Sequence, residues 1–86
     1  MLAYQLIEIV DHLNAATKRL LEPIILSEHI PETLKSEALS LIAMSEILTE
    51  HIVDHPSRDA LHDGLGDLRS EVEQFMEKIA ILARSF

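Results

Sequence analysis

The chain has 86 residues, 48% of them apolar and only 3% aromatic, with a net charge of −8 and no cysteine. That length makes one domain, near the lower end of the size at which a single core sustains a fold. The lack of cysteine excludes a disulfide framework, a thiolate metal site and a thiol nucleophile. The acidic balance disfavours direct binding to nucleic acid or an anionic membrane surface, and leaves a protein partner, including one with a basic surface.

Tyr4, Phe75 and Phe86 are the aromatic residues, so the core must be built from Leu, Ile, Val, Ala and Met. An aliphatic core with two glycines and three prolines suits a helical bundle better than a many-turned β fold. No apolar run approaches the roughly 20 residues of a membrane span. The first residues carry no basic leader before Glu8 and Asp11, so the sequence is expected to be soluble and cytoplasmic.

Apolar steps of three and four residues mark one face of a helix. In the first segment, Leu2, Leu6, Ile9, Leu13, Ala16 and Leu20 follow that rule, and Val10 and Ile24 widen the stripe. The expected helix covers about residues 2–22. Pro23 then ends or kinks it, a kinked continuation to residue 29 being the preferred reading.

Pro31 followed by Glu32 reads as a second helix start, over residues 31–54. Leu34, Ala38, Leu41, Leu48 and Ile52 share a face, with Ser45 in the gap. Ile42, Met44 and Val53 broaden that face to about half the circumference. The second helix is therefore expected at the centre, touching both neighbours or a second subunit.

Asp54-His55-Pro56-Ser57 breaks the chain again, and a third helix is expected over 57–84, with Asp54 or Ser57 as cap. Leu61, Leu65, Leu68, Val72, Phe75, Ile79, Leu82 and Phe86 are spaced 4, 3, 4, 3, 4, 3 and 4 apart. This heptad pattern runs through Gly64 and Gly66 unbroken. Ala60 and Gly64, small residues four apart, suit a close helix crossing. The expected architecture is all-α, a single domain over 1–86: an antiparallel, up-down-up bundle of three long amphipathic helices. Dimerisation would complete it into a four- or six-helix bundle.

His51-Ile52-Val53-Asp54-His55 resembles the H-x-x-E-H pattern of the inverted zinc metallopeptidases, with Asp54 where that pattern has Glu. The resemblance covers five residues, Pro56 follows at once and no third ligand is evident. Both histidines read instead as last-turn residues at the negative end of the helix dipole. His62 beside Asp59 and Asp63 reads as a solvated face, and His12 as an ordinary surface partner of Glu8. No serine or threonine is paired with a base and an orienting group. The expectation is a non-enzyme with no catalytic residue, metal or cofactor.

Two features point to a partner. Ile7, Leu21, Leu39, Ile47 and Ile81 lie off their helices' main stripes, which suggests a second apolar face. Asp59, Asp63, Asp67 and Glu71, four residues apart, form an acidic ridge in which neighbours repel by roughly 0.2–0.5 kcal/mol per pair. The leading reading is a small homo-oligomeric interaction module that binds a partner protein through Leu39, Ile47 and Ile7, oriented by the ridge. The alternative is an antitoxin-like or phage-type acidic inhibitor that occupies the basic surface of a nucleic-acid-handling protein.

Overall fold

The computed structural model describes residues 3–85 and is all-α. Its helices are α1 (Ala3–Leu26), α2 (Glu32–Asp54) and α3 (Arg58–Arg84). Leu2 and Phe86, assigned above to the apolar stripes, lie outside the described residues. No helix among the described residues is long and apolar enough to cross a membrane.

The helix ends follow local chemistry. α1 passes through Pro23 and stops at Leu26, so the continuation is found but ends before residue 29. Proline forfeits one intrahelical bond, the one its N–H would make to the Arg19 carbonyl, and the helix ends three residues later. Pro31 opens α2 in extended conformation, its carbonyl accepting from the N–H groups of Leu34 and Lys35 at 3.1 Å. α2 closes where the His55 N–H donates to the His51 carbonyl at 2.8 Å, ahead of Pro56. Ser57 caps α3 by accepting from the Ala60 N–H at 3.2 Å.

α2 packs along both other helices, whereas α1 and α3 meet at few points. Two apolar clusters hold the three together. At one end Leu6 and Val10 of α1, Ile52 of α2 and Leu61 of α3 are buried; at the other, Leu21, Ala38, Leu41 and Phe75 are. Between them lies a polar layer. Ser45 donates to Asn14 Oδ1 at 2.7 Å, and the buried hydroxyl of Thr17 bonds the Leu13 carbonyl at 2.8 Å. Thr49 bonds the Ser45 carbonyl at 2.9 Å. Thr49 of α2 lies beside Val10 of α1, and Ala38 of α2 packs with Leu21. Ile52 of α2 packs with Leu61 of α3, and Glu37 of α2 pairs with Lys78 of α3.

The structure corrects the rotation of α1. The stripe expected in the core was Leu6, Ile9, Leu13, Ala16 and Leu20, widened by Val10 and Ile24, of which Leu6 and Val10 are buried. The buried residues are Leu6, Val10, Thr17 and Leu21, while Ile9 and Leu20 remain 39% and 45% exposed. Leu21, which lies off the expected stripe, is fully buried. A shift of one residue turns a helix by about 100°. The side facing α2 is thus the one that carries Asn14 and Thr17, whose polar atoms find partners there.

The two glycines of α3 differ in their surroundings. A methyl at Gly64 would run into the δ-methyl of Leu48, so the glycine permits the close approach of α2 and α3. At Gly66 a methyl meets nothing within 4 Å. Gly66→Ala is accordingly expected to stabilise the protein by about 1 kcal/mol, the helix-propensity difference alone. Thermal unfolding should show a rise of roughly 4–8 °C; an unchanged or lower midpoint would contradict this account of the position.

Candidate functional site

The rotation of α1 leaves its most apolar stripe without a partner inside the chain. Leu13, Ala16 and Leu20 of α1 face Leu65, Leu68 and Val72 of α3 across an open groove of about 520 Å³. Both walls come from the seams read in the sequence. On α3, the heptad positions Leu61, Leu68 and Phe75 are buried, whereas the alternating positions Leu65, Val72 and Ile79 are only half-buried. Leu13, Ala16, Leu20, Leu65 and Val72 in the groove are therefore patterned as core but not covered as core.

Its margins are charged. Glu8, His12 and Arg19 each precede a residue of the apolar stripe by one position, and all three are exposed. The α2-facing residues follow the stripe by one position, so Glu8, His12 and Arg19 occupy the outer edge of α1. On α3, Arg69 lines the groove itself and bonds Glu73 at 2.9 Å. Arg58 and His62 border an adjoining hollow with Leu6, Leu61 and Leu65. Arg19 and Arg58 have no ion-pair partner among the described residues.

The residues singled out in the sequence lie elsewhere. Leu39 and Ile47 are 54% and 65% exposed, and lie eight residues apart along α2 with exposed Ala43 between them. Ile47 and Asp67 border one cleft, together with Met44, Leu48, His51, Ala60 and Gly64. Glu71 borders another, where Lys78 bonds Glu37 at 2.7 Å. Asp59 and Asp63 are exposed, and none of the four ridge acids has an ion-pair partner among the described residues. Ile7 is half-buried. The structure brings Ile47 and Asp67 together and leaves Leu39 apart from the ridge.

His51 and His55 stack loosely, ring centroids 5.9 Å apart, and both are exposed. No group of three or more His, Asp or Glu side chains converges as a metal site among the described residues. The chemistry on offer at the groove is burial of apolar surface with charges at the rim. Comparison with protein-family models, with curated proteins and with solved structures finds no match for this chain.

Sequence reading assigned the groove residues to the core. A signal was present nonetheless: α1 carries two stripes one residue apart, 6-9-13-16-20 and 6-10-17-21-24. Two stripes on one helix ask for two neighbours, and α2 supplies only one.

Proposed function

We propose that this chain is a non-enzymatic, homo-oligomeric helical interaction module, an up-down-up bundle whose α1/α3 groove receives a helix of a partner protein. The observation that carries this reading is the apolar stripe of α1 lying open against the half-buried heptad positions of α3. An apolar groove between two helices, edged with charge, is the form in which amphipathic helices are bound. The exposed pair Leu39 and Ile47 on α2 then serves as a second, smaller contact face. A second reading has its own support. The ridge Asp59, Asp63, Asp67 and Glu71 has no cationic partner within the described chain, which suits an acidic inhibitor of a basic surface.

Titration with anilinonaphthalene sulfonate, a fluorescent apolar probe, tests the groove in the folded protein at high dilution, where no second copy covers it. Saturable enhancement should be lost in Leu20→Glu, be kept in Leu39→Glu and persist in high salt. Circular dichroism and cooperative melting would confirm that each variant is folded. Enhancement equal in wild type and Leu20→Glu would remove the groove as a binding site. Binding of a lysine-rich peptide, abolished by salt and by Asp63→Asn with Asp67→Asn, would favour the acidic ridge instead.

A further inference from the structure

We infer that the occupant of the α1/α3 groove is a second copy of this chain, docked face to face with its helices reversed; the inference rests on the reading of that groove as a helix-docking site. The argument is one of charge and register. Along the outer edge of α1 the charge changes from Glu8 to Arg19, and these residues are eleven apart, three helical turns, so they lie on one line. Along the outer edge of α3 the basic Arg58 comes before the acidic Glu73, and His62, eleven residues before Glu73, lies on one line with it.

A two-fold axis through the groove and across the helices reverses each edge upon itself. In such an interface residue i meets j and j meets i. Glu8 of one copy then faces Arg19 of the other, and His62 faces Glu73. For all these pairs to form at once, their midpoints must lie level. The midpoint of Glu8 and Arg19 falls at residues 13–14, and that of His62 and Glu73 at residues 67–68. Leu6 clusters with Leu61 and Leu21 with Phe75, so residues 13–14 of α1 lie about level with 67–68 of α3, and one axis serves both pairs. Reversal also sets the helix dipoles of the apposed helices against one another, which is favourable. A partner uniformly acidic or uniformly basic along its length would meet a like charge at one end of each edge.

Reversing the charges tests this without disturbing the fold, because Glu8 and Arg19 are exposed and Arg19 is unpaired. Sedimentation across a concentration series should show a dimer for the wild type. Arg19→Glu should weaken it roughly tenfold at low salt, since the substitution acts twice across the axis. Glu8→Arg combined with Arg19→Glu should restore it. Leu20→Glu should give a monomer, and Leu39→Glu should not. A dimer lost in Leu39→Glu but kept in Leu20→Glu would overturn the inference, as would failure of the double reversal to restore what Arg19→Glu removes. A wild-type monomer that still binds anilinonaphthalene sulfonate would overturn the second copy and leave the docking groove standing. A monomer that binds none would overturn both.

Discussion

Phe75→Ala is expected to lower the unfolding free energy by about 3–5 kcal/mol, as deletion of a buried ring usually does. Phe75 is 3% exposed and packs with Leu21 of α1 and with Ala38 and Leu41 of α2. It is thus one of the few side chains through which α3 is held to α1 as well as to α2. Neighbouring Val72, Met76 and Ile79 are already half-buried, so they cannot move inward to refill the space without uncovering the α1/α3 side. A domain of this length has a total stability of about 4–13 kcal/mol at 0.05–0.15 kcal/mol per residue. The variant should therefore unfold at markedly lower urea than the wild type, whereas Gly66→Ala moves the midpoint the other way. Urea denaturation followed by circular dichroism gives the comparison. A loss below about 1 kcal/mol would mean that the cluster reorganises around the missing ring, and that α3 is not anchored there.

The reach of sequence reasoning differs from helix to helix. The ends of α2 and α3 are set by residues whose effect is local: Pro31 before Glu32, Pro56 after His55, and the Ser57 cap. Such effects need no knowledge of the neighbours. The inner face of α2 is equally legible, since Ala38, Leu41, Ser45 and Ile52 are all buried as their spacing implies. The pairing of small residues with a close crossing also holds at Gly64, which faces Leu48.

α1 is where periodicity misleads. Residue type favours the stripe through Ile9, Leu13, Ala16 and Leu20 over the one through Val10, Asn14, Thr17 and Leu21, because two members of the latter are polar. In the fold those polar atoms are satisfied, by Ser45 from α2 and by the Leu13 carbonyl of α1 itself. Pattern analysis weighs hydrophobicity position by position and has no access to a hydrogen bond between residues 31 apart. The candidate site escaped for the same reason. Once α1 turns by one residue, its more apolar face is outside, and the groove appears where a core was expected.

The polar layer itself is the second large lever on stability. Ser45 is 1% exposed, and its hydroxyl lies 2.7 Å from Asn14 Oδ1 and 2.8 Å from the Ile42 carbonyl. Ser45→Ala leaves the Asn14 amide oxygen without its partner in a half-buried position, which should cost about 1–3 kcal/mol. Adding Asn14→Leu removes the orphaned group and fills a similar volume with apolar atoms. The double variant should recover most of that loss or exceed the wild type, because an unmet polar group costs more than a well-made hydrogen bond contributes. A double-mutant cycle in urea would show the coupling as a departure from additivity. Strictly additive losses would mean that Asn14 is content with water and that the 2.7 Å contact contributes nothing. If the coupling is found, the layer explains why α1 docks on α2 through its more polar side. Sliding α2 by one turn would separate Asn14 from Ser45 and leave the half-buried Asn14 amide oxygen unmet, while Ser45 keeps the Ile42 carbonyl. At 1–3 kcal/mol per unmet group, that difference selects one register over its neighbours. The helix so held presents Ile9, Leu13, Ala16 and Leu20 outward, and the polar core thereby creates the apolar groove.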